Sequence, residues 1–156
     1  MSKQKSNRLV KILIIGFVAI FLFVGLNGVY TVIVLRWASN QGIYPTAEQG
    51  MIERATAYYE NIEKIEIKYA GPNSFDGDQQ HVWYVIARVW AESKRGRPVG
   101  SPGKDYETPG GFYIQTKQGW VQIPEGMLPV YLGFWMDVFG LAGPGSTTPT
   151  INHTNW

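Results

Sequence analysis

Hydrophobic positions follow three different patterns along this chain, and each pattern predicts a different kind of element. Between Lys11 and Arg36 run 24 uncharged residues, ILIIGFVAIFLFVGLNGVYTVIVL. A bilayer core takes roughly 20 apolar residues as a helix, so segment 12–35 is expected to cross a membrane with some tilt. A cleaved signal peptide would carry a shorter apolar region, about 7–15 residues, ahead of a small-x-small site. Here the run is longer, and the nearby small pair Ala38 and Ser39 is preceded by Arg36. The expectation is an uncleaved anchor.

Residues 36–45 read as a linker, and the pattern then becomes amphipathic. Pro45 and Thr46 precede AEQGMIERATAYYENI, where Thr46 is a plausible N-cap with Gln49 three residues on. Ile52, Ala55, Tyr59 and Ile62 recur at helical spacing and predict one buried face. EKIEIKYAG then alternates, placing Ile65, Ile67 and Tyr69 opposite Glu66 and Lys68, as in a half-buried strand. HVWYVIARVWAES is β-branched and aromatic, which predicts a long central strand. The Gly/Pro-rich stretch 93–111 reads as a long loop. FYIQTKQGWVQIPEG reads as a hairpin with Gln118-Gly119 at its turn, pairing Thr116 with Val121 and Ile114 with Ile123. That register puts Tyr113, Gln115, Lys117, Trp120 and Gln122 on the opposite face, polar with aromatics, and leaves the Ile114 face for the core.

The third pattern is EGMLPVYLGFWMDVFGLAG, which is apolar over most of a helical circumference. From Leu128 to Leu141 it would be roughly 21 Å long as a helix, too short for a core of roughly 30 Å. Gly133, Asp137 and Gly140 share one narrow stripe, while Trp135 and its neighbours are apolar. The segment is expected to fill the domain core first, to serve as an interface second, and to span a membrane last. Together these patterns predict an α+β chain: one transmembrane helix, then a domain (46–142) with a helix on about four antiparallel strands, closed by a short apolar C-terminal helix. Residues 143–156 read as a disordered tail.

Charge sharpens the topology. Lys3, Lys5, Arg8 and Lys11 make the tail 1–11 basic, whereas from Arg36 onward twelve acidic residues outnumber ten basic ones. The tail is expected to stay in the cytoplasm, placing the domain outside at the plasma membrane. The slightly acidic folded part gives no support to nucleic-acid binding. Cysteine is absent, which excludes disulfides and thiolate chemistry.

Candidate chemistry is sparse. Asp76, Asp78 and His81 form one cluster of ligand-type residues, but the spacing lacks the oxygen-ligand alternation of a calcium loop. Ser74 beside His81 has no nucleophile-elbow context. No catalytic residue, cofactor or metal is therefore assigned. Candidates for interaction are more numerous. Asn27 sits within the span beside Gly28 and one turn before Thr31, where an amide calls for a partner helix, for headgroup water, or for a bond along its own helix. Lys94, Arg95, Arg97 and Lys104 in the 93–111 loop offer contact with anionic headgroups or a wall polymer. The reading that emerges is a membrane-anchored interaction module, a subunit or accessory factor of a larger membrane protein assembly. Two alternatives accompany it: a ligand-binding or enzymatic domain with a helix–sheet pocket lined by Tyr58, Tyr59, Trp83 and Tyr84, and a carbohydrate-binding module using Tyr113 and Trp120.

Overall fold

A computed structural model describes residues 2–73, 81–100, 105–145 and 149–153, with side chains from Arg8 onward. The first element, α1 (Ser2–Gln41), is a single uninterrupted helix of 40 residues. It is long and apolar enough to cross a membrane. It does not stop at Leu35. The expected linker is helical through Gln41, because Thr31, Val34, Leu35 and Ala38 form a buried stripe at three- and four-residue spacing. Polar residues between them made the segment resemble a tether. The chain after the helix is also fixed, since Tyr44 and Trp120 exchange two backbone hydrogen bonds of 2.8 Å.

Helix α2 (Ala47–Tyr58) starts where expected: the Thr46 hydroxyl accepts from the Gln49 amide at 3.1 Å. Its buried face is Ala47, Gly50, Met51 and Ala55, and Ile52 is exposed. Of the predicted face, Ala55 and Tyr59 are buried, but Tyr59 is already extended and opens a strand, and Ile52 lies off the buried side. Gly50 lets the helix sit close to the sheet, since a Cβ there would lie 2.6 Å from the Tyr113 ring.

The antiparallel sheet has seven strands rather than four, and its main path runs β6-β5-β2-β1-β7. The long strands are β1 (Tyr59–Pro72) and β2 (Val82–Lys94). The expected 93–111 loop contributes β3 (Arg97–Pro98) and β4 (Tyr106–Glu107), both paired with β2. Arg95 and Gly96 have φ of 50° and 74°, the backbone of a two-residue hairpin turn that reverses β2 into β3. The hairpin is β5 (Gly110–Thr116) and β6 (Gly119–Ile123). A short β7 (Ile151–Asn152) pairs with Tyr69 and Ala70, so part of the segment expected to be disordered is held on the sheet edge.

Two local shifts separate the sheet from its sequence reading. A bulge between Ile67 and Tyr69 turns Tyr69 to the face opposite Ile67, and Ala70 takes the buried position. In the hairpin, Lys117-Gln118 form the turn, pairing Ile114 with Val121 and Phe112 with Ile123. The pairing is displaced by two residues from the expected one. A two-residue shift preserves side-chain parity, so the alternation of sides survives. The side expected to face away from the core is itself buried, however, with Tyr113 and Trp120 in a second core.

Both faces are covered. On one, α2 packs against Trp83, Val85, Ala87, Val89, Tyr113 and Trp120. On the other, Val82, Ile114, Val121 and Ile123 meet Val34, Leu35 and Ala38 of α1 and Leu132 and Met136 of α3 (Leu132–Val138). Ile123 is fully buried and Gln122 is half-buried. Ile123→Ala is expected to cost about 2–5 kcal/mol in chemical denaturation, and Gln122→Ala far less. Equal losses would contradict this assignment of faces.

Candidate functional site at the anchor–domain junction

The residues singled out in the sequence fall into three places. The first lies between α2 and the sheet. Tyr58 and Tyr59 line a small cavity there, of about 70 Å³, with Met51, Arg54, Lys94 and Pro109. Small-molecule sites occupy about 300–1,000 Å³. Trp83 is buried in the core, and Tyr84 lines a different cleft of about 240 Å³. The four aromatics expected in one pocket are thus divided among separate environments. Tyr113 and Trp120 are buried beneath α2, so neither offers a flat face to a sugar.

The second place is the cationic loop beside the small cavity, where the Tyr59 hydroxyl donates to Glu107 at 2.8 Å and Lys94 Nζ lies 3.0 Å from the same oxygen. Burial, the accepted hydrogen bond and the charge of Glu107 all push the Tyr59 phenol well above its usual range. Burial acts to raise Glu107, but hydrogen bonds from Tyr59 and Lys94 outweigh it and hold the carboxyl below the usual value. Burial also raises Tyr113, against the opposing charge of Arg54. Arg95 lies over the Tyr58 ring at 3.9 Å, and Arg97 is exposed on β3. Much of the cationic loop is therefore engaged by the domain itself. Lys104, Ser74, Asp76 and Asp78 lie outside the described residues, and His81 Nε2 is 3.2 Å from the Gly143 carbonyl oxygen.

The third place is the junction of α1 with α3. Asn27 Nδ2 donates to the Phe23 carbonyl at 3.0 Å, and Thr31 Oγ1 donates to the Asn27 carbonyl at 2.9 Å. Both polar groups are satisfied along their own helix. Gly28 is buried under Trp135, and a Cβ on it would lie 2.9 Å from the indole. The close approach at this junction is thus made by a glycine of α1. Trp135 in turn stacks on Phe139, with ring centroids 5.6 Å apart. Tyr30 adds a bond from its hydroxyl to the Met127 carbonyl at 3.3 Å.

Within α3, Leu132 and Met136 point into the core, while Tyr131, Phe134, Val138 and Phe139 remain exposed. The stripe has other roles than a helix contact. Gly133 is half-buried and Asp137 exposed. Gly140, at φ 61°, ends the helix: its amide bonds Asp137 O at 3.0 Å and the Leu141 amide bonds Met136 O at 2.7 Å. These paired bonds form a Schellman cap, which favours glycine at the left-handed position. A cleft of about 280 Å³ extends between α1 and α3 as far as Phe23 and Val24. The two helices therefore share one apolar surface. The sequence signal for it was the spacing of Gly28, Thr31, Leu35 and Ala38.

A raised phenol pKa favours the protonated group in the fold. Its contribution is complete below the ordinary value of 10.0 and is lost as pH rises through the folded pKa. In an ultraviolet titration of the nine tyrosines, two should ionise only as the domain unfolds in alkali. Tyr59→Phe should remove one of them, whereas all nine titrating together would contradict the described environments.

Comparison of the chain with family models, curated proteins and solved structures finds no match, so the junction's own geometry carries the functional reading.

Proposed function

We propose that this protein is a single-pass plasma-membrane protein whose extracytoplasmic domain is an interaction module, a subunit or accessory factor of a larger membrane assembly. The basic tail 1–11 orients the span with its N-terminus in the cytoplasm. One observation carries the anchored reading: Val34, Leu35 and Ala38 belong to the domain core. Cleavage of a leader after Ala38 would strip that core of three buried side chains, and losing even one large apolar side chain costs about 2–5 kcal/mol. That cost supports retention of the helix.

Depth supports the interaction half of the reading. The uncharged run of 24 residues is about 36 Å long as a helix, against a hydrocarbon core of about 30 Å. Gly28 precedes Arg36 by eight residues, about 12 Å along the axis. Trp135, packed on Gly28, then stands at the level of the outer leaflet, together with the exposed Phe134, Val138 and Phe139. Soluble surfaces rarely expose contiguous apolar patches of this kind. Here the patch continues the apolar flank of α1, and the two form a broad surface for a partner's transmembrane segment.

Protease added to intact cells should remove the domain and leave a membrane-bound N-terminal fragment. Protection of the domain would overturn the orientation. A photoreactive residue at Phe134 in the native membrane should yield discrete protein adducts, whereas adducts with lipid alone would overturn the partner reading.

A further inference from the structure

We propose that the cleft between the outer end of α1 and the β5–β6 turn holds one phospholipid of the outer leaflet, with its phosphate between Arg36 and Lys117. This rests on the membrane reading above and assigns a ligand to a different side of the same junction. The cleft has a volume of about 460 Å³, within the range of about 300–1,000 Å³ typical of small-molecule sites. Its lining combines apolar and cationic groups, as a phospholipid combines apolar and anionic ones. Val32, Leu35 and Leu141 supply an apolar wall, and Val32 lies one helical turn before Arg36 on the side of the span. Arg36 is the first charge at the outer end of the apolar run. Lys117, Ser39 and Asn40 line the same cleft.

Charge discriminates this cleft from the rest of the surface. No acidic residue lines it. Lys64 and Lys68 pair with Glu66, Lys94 pairs with Glu107, and Arg88 and Arg95 lie over tyrosine rings. Among the described residues, Arg36 and Lys117 have no such carboxylate or ring; Arg97, exposed on β3, shares that condition, but the cleft brings two such cations into one lining. Two cations in one lining present donors to phosphate oxygens, the guanidinium as a planar fork and the ammonium as a point charge. Lys117 is also well placed: it occupies the tight β5–β6 turn, its amide bonds Leu141 O at 3.1 Å, and Thr116 Oγ1 closes the turn on Gly119 O at 2.8 Å.

A phosphodiester headgroup and free inorganic phosphate share this recognition chemistry. The apolar wall favours the lipid, because phosphate alone has nothing to place against Val32 and Leu141. A net-negative headgroup fits two unpaired cations better than a zwitterionic one.

The test is native mass spectrometry of the full chain in an uncharged detergent, with phosphatidylglycerol, phosphatidylcholine or inorganic phosphate added separately. One phosphatidylglycerol per chain should be retained, in preference to phosphatidylcholine. The double variant Arg36→Gln, Lys117→Gln should reduce that retention by about tenfold or more. Arg36→Lys should keep most of it. Equal retention by the double variant would overturn the proposal, as would binding of inorganic phosphate without lipid. Alkaline carbonate extraction of the parent membranes reports the anchor separately. Loss of the chain into the soluble fraction would sink the membrane reading, whereas a membrane-retained chain that binds no lipid would sink only this site.

Discussion

The packing of the last three turns of α1 against the sheet is the contact on which the rest of the structure depends. Thr31, Val34, Leu35 and Ala38 are each buried by the domain, and the helix that bears them is the one long enough to cross a membrane. A helix cannot end in a protein core and also act as a loose tether. The height and rotation of the domain relative to the helix are consequently fixed by buried side chains, since protein interiors are close-packed and resist sliding. The position of α3 follows from this, because Leu132 and Met136 complete the same core that α1 enters.

The junction also accounts for a local conflict in the sequence. A segment with Tyr131, Phe134, Val138 and Phe139 on its exposed side is poorly suited to water, yet Leu132 and Met136 tie it firmly to the fold. The conflict disappears when the segment is read beside its neighbour. Trp135 covers Gly28 eight residues inside the uncharged run, so the exposed aromatics stand beside a helix surface that is uncharged and largely apolar, with Asn27 at the cleft. Core and interface are two sides of one helix here. On the proposed reading, a short helix with one buried edge and one edge at the level of the lipid would widen a single transmembrane span.

Much of this was legible in the sequence, and the failures have identifiable causes. The span, the Thr46 cap and the alternation of sides along the hairpin depend on length, local hydrogen bonding and parity, all of which are local properties. The continuation of α1 was hidden because Arg36, Trp37, Asn40 and Gln41 lie around the buried stripe and make the segment look like a polar linker. Tyr69 was misplaced by a bulge, which flips parity without any marker in composition. The hairpin turn was drawn to Gly119, whose φ of 135° serves the first position of β6 rather than the turn itself. The candidate site shared this limit. Asn27, Gly28 and Thr31 were conspicuous, but their partners are backbone carbonyls one turn away and a tryptophan more than 100 residues later. Periodicity cannot reveal contacts of that range.

Rigid continuity between helix and domain is the central claim, and a distance distribution tests it most directly. The chain has no cysteine, so spin labels can be placed cleanly at two introduced cysteines, one at Leu22 on the exposed face of α1 and one at Glu53 on the exposed side of α2. Double electron–electron resonance on the full chain in lipid nanodiscs should give a single narrow distance, preserved in detergent. A broad distribution, like that of a domain swinging on a flexible tether, would contradict the account.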